Sequence, residues 1–116
     1  MCKETGSELK PKYSIIIPTI SCGTELMQCI ESIHAQEFDE SLFEVIIVDN
    51  RPGTEAPWSI GCTKNMMVLQ EPRKGSYIAR NTGARFATGE YFIFTDSDCI
   101  PDPTWLRKLD DNLKSI

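Results

Sequence analysis

The sequence predicts an open, mainly parallel α/β sheet with flanking helices. Three observations carry that reading. Short runs rich in Ile, Val and Phe recur along the chain, each too continuously apolar for a strand with one wet face. Between them lie segments whose apolar residues recur at helical spacing. Most of the apolar runs end in polar or acidic residues, which belong where a doubly buried strand leaves its sheet. With 116 residues, 41% hydrophobic and 25% charged, the chain suits one globular domain.

Residues 1–12, MCKETGSELKPK, read as a polar tail without a signal-peptide core, and the domain is expected over 13–116. YSIIIPTI (13–20) is a β-branched strand stopped by Pro18. GTELMQCIESIHAQ (23–36) is a helix with Leu26, Met27, Ile30 and Ile33 inward and Thr24 as N-cap; His34 suits its C-terminal end. FEVIIVDN (43–50) is the second strand. The prolines and glycines of RPGTEAPWSIGCTKN break any period, so that segment is expected to be irregular. MMVLQ (66–70) is the third strand. After the basic turn EPRKG, SYIARNTGARFATG (76–89) is a helix with Ile78, Ala79, Thr82, Gly83 and Phe86 on or beside one face. Gly83 would allow close packing on the sheet and Gly89 a left-handed cap. YFIFT (91–95) is the fourth strand. DPTWLRKLDDNL begins the last helix, with Asp102 as N-cap, Pro103 in the first helical position, and Trp105, Leu106, Leu109 and Leu113 inward. Asp110 and Asp111 fall on its solvated face.

Several function classes are disfavoured. A net charge of −5 is the wrong sign for nucleic acid as the main partner. No apolar run approaches the ~20 residues needed to cross a bilayer. Five cysteines, an odd number without a C-x-x-C pair, point to a reducing, cytoplasmic setting and away from a disulfide framework or a zinc site. They read as small buried hydrophobes or surface thiols. Neither G-x-x-x-x-G-K-[ST] nor G-x-G-x-x-G occurs.

Open α/β sheets take ligands beyond the carboxyl ends of their strands, where strand order reverses. Those ends carry Pro18 and Thr19, then Asp49 and Asn50, then Asp96 and Asp98. In extended chain, residues two apart point the same way, so Asp96 and Asp98 converge while Ser97 points elsewhere. Two like charges facing one spot invite a cation. Any one of these acids alone would serve as a turn cap; three such ends in one chain favour a site.

SIIIPT, FEVIIVDNRPGT, KGSYIARNTGARFATGEYFIFTDSD and the following P-x-x-L together resemble the N-terminal half of a family-2 glycosyltransferase, the large inverting class with the GT-A fold. The similarity runs from Tyr13 to Leu109. The run G-x-x-x-A-R-N-x-G-x-x-x-A-x-G-x-Y leading into D-x-D carries most of it. The resemblance implies a nucleoside diphosphate sugar as donor, with a UDP-sugar favoured. It also implies a Mn2+ or Mg2+ ion bridging the two phosphates. On that basis Asp98 is the metal ligand and Asp96 meets ribose or sugar hydroxyls. Pro18 and Thr19 lie along the nucleobase or ribose, and Asp49 shares the ribose or holds its loop. The family commonly has a second acid where this chain has Asn50, and that acid usually contacts the pyrimidine. Asn50 donates as well as accepts, which leaves base preference open. Arg80 and Asn81 sit at the pocket mouth; a salt bridge from helix to strand end is the other reading of Arg80. Arg73 and Lys74 either flank the base or belong to a solvated turn.

The implied acceptor is a carbohydrate or lipid-linked hydroxyl. The family's general base comes from a later part of the domain, so this chain is expected to be a donor-binding half without a catalytic base. Any membrane association would come through regions outside this chain. The resemblance also implies a strand order of third, second, first, fourth. That order leaves Tyr91–Thr95 as an edge without lysine, proline or charge, through which self-association is expected. A haloacid-dehalogenase-type phosphatase also ends a strand in D-x-D, but it needs a lysine and further acids downstream. The alternative function is a non-catalytic nucleotide-binding or protein-interaction module.

Overall fold

A computed structural model describes residues 10–21, 23–51 and 65–114. The polar tail through residue 9, Cys2, Cys22, Cys62 and nearly all of the irregular segment therefore lie outside the described residues. The elements are β1 (Tyr13–Thr19), α1 (Thr24–His34), a 3-10 turn (Glu40–Leu42), β2 (Phe43–Asp49), β3 (Met66–Gln70), α2 (Ser76–Phe86), β4 (Tyr91–Phe94) and α3 (Trp105–Lys114). The sheet order is β3-β2-β1-β4, and every pairing is parallel. The expected fold class and strand order are both observed.

Register fixes what the sheet presents at its carboxyl edge. Tyr13 lies opposite Phe43 and Thr19 opposite Asp49, so β1 and β2 begin and end level. Phe94 lies opposite Ile16, so β4 stops three residues short of the end of β1. The β1 side chains alternate between two cores. Tyr13, Ile15 and Ile17 pack with Leu26, Cys29, Ile30 and Ile33 of α1 and Leu106 of α3. Ile16 packs with Ile46, Val48 and Ala79 beneath α2. Burying one such aliphatic side chain contributes about 1.5–3 kcal/mol, so the two clusters supply most of the drive for folding.

Several expected details differ. Thr24 is the first residue of α1, and Gly23 occupies the cap position without a side-chain bond. Cys29 completes the buried face of α1 where Met27 was expected; Met27 is exposed. On α2 the buried residues are Ala79, Thr82 and Gly83, whereas Phe86 is exposed. A small-residue face lets this helix approach the sheet closely. A Cβ on Gly83 would stand 2.5 Å from Ile16 Cγ2 and 3.2 Å from Val48 Cγ2. Gly89 is not a left-handed cap, since Gly75 is the glycine with positive φ among the described residues and α2 ends at Phe86. Gly89 is small for another reason. A Cβ there would lie 2.9 Å from both the Ser14 nitrogen and the Tyr13 carbonyl carbon.

The opposite, amino-terminal edge of the sheet is held by two buried acids. Glu44 on β2 accepts hydrogen bonds from Ser14 Oγ (2.6 Å) and from the Thr88 backbone nitrogen (2.7 Å), pinning the turn between α2 and β4. Asp110 on α3 was expected in solvent and is instead 6% exposed. Lys12 Nζ and Tyr13 Oη each donate to its Oδ1 at 2.7 Å, and Lys114 Nζ lies 3.1 Å from Oδ2. The spacing of WLRKLDDNLK could not show partners nearly a hundred residues away. Those bonds, led by Lys12, hold the Asp110 carboxyl well below the usual carboxylate range. At the other end, α3 begins at Trp105 and not at Pro103 as expected, and Asp102 accepts from the Thr104 nitrogen at 2.8 Å in the turn that leads into the helix. Gln36, just past α1, donates to the Asp102 carbonyl (2.7 Å) and accepts from the Leu106 nitrogen (2.9 Å).

Two predictions follow from this packing. Gly83→Ala should gain about 1 kcal/mol in helix propensity and lose about 1–3 kcal/mol to overpacking. Ile16 is fully buried and β-branched and cannot swing aside, so urea titration should show a less stable chain. For Asp110, a depressed folded pKa means the stabilisation is complete above the unfolded value near 3.9 and is lost as pH falls through the folded value. Asp110→Asn should lower the unfolding midpoint at pH 7 and flatten its fall below about pH 4, read by circular dichroism at successive pH values.

Candidate functional site

Three strand ends and one helix start meet at the carboxyl edge. At the end of β1, Thr19 is buried and its Oγ1 both donates to the Ser21 carbonyl (2.6 Å) and accepts from the Ser21 nitrogen (3.1 Å). Pro18 beside it is half-buried. The Asn50 nitrogen donates to the Thr19 carbonyl at 2.7 Å, tying the end of β2 to that of β1.

The end of β2 turns its polar groups toward the loop it enters and the loop after β3. Asp49 is 2% exposed and holds Arg51, with Nε at 2.9 Å from Oδ1 and Nη2 at 2.9 Å from Oδ2. Asn50 is also buried. Its Nδ2 donates to the carbonyls of Glu71 and Arg73, both at 2.7 Å, and its Oδ1 accepts from the Gly75 nitrogen at 3.3 Å. Glu71, just past β3, accepts from Arg73 Nη2 (2.9 Å) and from Thr82 Oγ1 of α2 (2.6 Å). The Arg73 bonds and then the Thr82 bond bring the Glu71 carboxyl down to about 2. Arg73 thus belongs to a structural pair in the turn with Glu71, which Thr82 also engages, a network that no local pattern in the sequence announces.

Arg80 is half-buried and Asn81 exposed on α2. Arg80 joins no ion pair among the described residues, so the helix-to-strand salt bridge is not formed there. His34 Nε2 is buried without a hydrogen-bond partner and lies at the end of α1, as a helix-terminal residue.

Beyond β4 the chain makes a turn instead of continuing as strand, with the Cys99 nitrogen donating to the Asp96 carbonyl at 3.2 Å. The turn still brings the acids together. Ligand atoms of Asp96, Asp98 and Cys99 all lie within 4.8 Å of one another, and all three residues are exposed. Cys99 is a member that the sequence reading passed over as an ordinary thiol. From beneath, buried Cys29 of α1 places Sγ 3.7 Å from the same Asp96 carbonyl, and burial pushes its thiol up to about 11. Among the described residues, no hydrogen bond or ion pair engages the Asp96 or Asp98 carboxylates, unlike Asp49 and Glu71.

That donor set fits a divalent cation. Two ligands across an ion at about 2.0–2.1 Å stand about 4.2 Å apart, within the observed spread. Carboxylate oxygens suit Mg2+ or Mn2+, and a sulfur beside them shifts preference toward the softer ion.

Residues 14–115 match the family model for glycosyl transferase family 2. The chain belongs to that family. Glycosyltransferase AglE of Haloferax volcanii is 31% identical over 103 residues, which cover 84% of this chain and 34% of AglE. This family-2 chain therefore spans about a third of that relative's length. Among solved structures, residues 1–349 of S. aureus TarS in complex with UDP-GlcNAc superpose with a TM-score of 0.70 at 23% identity, covering 90% of this chain and 31% of that one. Mannosyltransferase PcManGT from Pyrobaculum calidifontis, in complex with GDP-Man and Mn2+, gives 0.65 at 23% identity over 81% of this chain and 30% of that one. Both similarities establish the fold, a GT-A-type α/β sheet.

The Glu71 network generates a prediction. Its carboxyl is depressed, so its contribution to stability is complete above the unfolded value near 4.3 and fades as pH falls toward 2. Glu71→Gln should remove that part of the acid transition and free Arg73, measurable as a flatter stability profile between pH 5 and about 2.

Proposed function

We propose that this chain forms the donor-binding part of an inverting glycosyltransferase that takes a sugar from a nucleoside diphosphate with the help of a divalent cation. The observation that carries the proposal is the exposed, unengaged cluster of Asp96, Asp98 and Cys99 at the end of β4, in a chain of family 2. It is supported by the ligands of the structural neighbours, UDP-GlcNAc in TarS and GDP-Man with Mn2+ in PcManGT.

In this reading Asp98 holds the cation, with Cys99 beside it, and Asp96 orients sugar or ribose hydroxyls. The cation, when bound, would neutralise charge that gathers on the diphosphate as the sugar departs. Pro18 and Thr19 line the nucleoside, Asp49 keeps the β2 loop in place through Arg51, and Asn50 stands in the wall beside it. Arg80 and Asn81 guard the entrance, where Arg80 is available to a phosphate. A uridine nucleotide is favoured, and the acceptor is a carbohydrate or lipid-linked hydroxyl. No general base is assigned in this chain. Asp110 is unsuited to that task, since Lys12, Tyr13 and Lys114 occupy it at the other edge of the sheet. β4 has an outer edge without a strand partner among the described residues, with Tyr91, Phe92 and Phe94 exposed, which supports self-association through this strand. A cytoplasmic setting completes the proposal; none of the helices among the described residues is long and apolar enough to cross a membrane.

Calorimetric titration tests it. UDP should bind at least about tenfold more tightly with Mn2+ than without, a coupling of about 1.4 kcal/mol. Asp98→Asn should erase that gain, while Asp96→Asn should chiefly weaken a sugar nucleotide relative to UDP. Metal-independent binding in the parent chain, or a full Mn2+ effect in Asp98→Asn, would refute the assignment.

A further inference from the structure

Asn50 is a buried amide at the mouth of the site whose donors are both spent on the protein. Each Nδ2 hydrogen goes to a carbonyl of the loop after β3, Glu71 and Arg73, at 2.7 Å, and Oδ1 takes the nitrogen of Gly75 at 3.3 Å. An asparagine has two N–H donors and one carbonyl oxygen with two lone pairs. One lone pair is all that remains.

The three anchored residues are the ones that set where α2 begins. Gly75 has φ +133°, a conformation that L side chains rarely adopt, and α2 starts at the next residue without a side-chain cap. The loop is braced a second time by Glu71, which grips Arg73 within the turn and Thr82 two turns along α2. The Asn50 backbone is meanwhile bonded to the Thr19 carbonyl. One residue therefore joins the end of β1, the end of β2, the loop after β3 and the entry to α2.

We infer that Asn50 is a positioning residue: its amide fixes the 71–75 loop and the start of α2, and so sets the wall of the nucleoside pocket, rather than reading the base through its own donors. The effect on the nucleotide rests on the donor-binding reading above; the clamp itself does not. An aspartate has the same shape but at neutral pH only accepts, so it would face two carbonyl oxygens at hydrogen-bond distance and repel both. The loop of this chain, with two carbonyls turned to the side chain, thus matches an amide and not an acid at this position.

Hydrogen exchange on the 116-residue chain tests the clamp without any ligand. The Gly75 amide should exchange at least about tenfold faster in Asn50→Ala, which removes its acceptor together with both donors, with the β1 and β2 amides unchanged. Asn50→Asp, which keeps an acceptor but turns it against the Glu71 and Arg73 carbonyls, serves if the alanine variant does not fold and should loosen the same loop. Unchanged exchange at Gly75 in a folded variant overturns the inference. Titration below the unfolding midpoint then separates positioning from mere stability. Uridine affinity should fall at least about tenfold in the folded variant, while the ratio of UDP affinities with and without Mn2+ stays as in the parent chain. A lower midpoint with unaltered uridine affinity overturns the positioning role. Should the parent chain bind no uridine, the donor reading fails, and the clamp stands or falls on exchange at Gly75 alone.

Discussion

Because β1 is hydrogen-bonded in parallel to β2 on one side and to β4 on the other, three chain ends must emerge from the same edge of the sheet. The residues that follow a strand buried on both faces cannot remain apolar and cannot stay unsolvated, since backbone and side-chain polarity must be met there. The carboxyl edge is consequently the one place where Thr19, Asn50 and Asp96 can gather, although they are far apart in sequence. Parallel pairing also demands long crossovers. Those crossovers supply α1 and α2, and each covers one of the two cores that β1 separates.

Acids in this structure divide by what engages them. Glu44, Asp49, Glu71 and Asp110 are buried, and each is bonded to donors that make its charge tolerable. Removing a partner from such a group would strand a charge in a poor solvent, so these four are committed to architecture. Asp96 and Asp98 stand exposed on a turn with no such commitment. Similar side chains on one small sheet are thus assigned to opposite tasks by their surroundings.

Much of this was legible in the sequence because continuous apolar runs and their polar ends are local signals. The four strands and the close approach at Gly83 could be read that way, whereas Phe86, placed by the same spacing on the inner face of α2, is exposed. What escaped was long-range. Asp110 reads as a surface residue on its own helix and becomes buried only because Lys12 and Tyr13 arrive from the far end of the chain. Gly89 reads as a helix stop, yet its small size answers to Ser14 on a neighbouring strand. Asn50 reads as a ligand contact, and nothing local tells which way its amide turns. Cys99 escaped for a different reason. A thiol after two acids has no required partner in sequence, and only the turn folds it back upon them.

The segment from Asp96 to Asp102 is held at one end by α1 and at the other by the chain that leaves it. Cys29, midway along α1, reaches up to the Asp96 carbonyl, and Gln36, two residues past the end of α1, donates to the Asp102 carbonyl and accepts from the Leu106 nitrogen. A loop strung between two fixed posts behaves like a short bridge and not like a free tether. Whatever settles on its acids has few backbone arrangements to select among, and the disorder it removes is largely that of side-chain rotamers, about 0.5–1.5 kcal/mol apiece. On the reading proposed above, grip and selectivity at this turn would be set from below, by Cys29 of α1 and by Gln36 just past it, neither of which belongs to the exposed acid cluster.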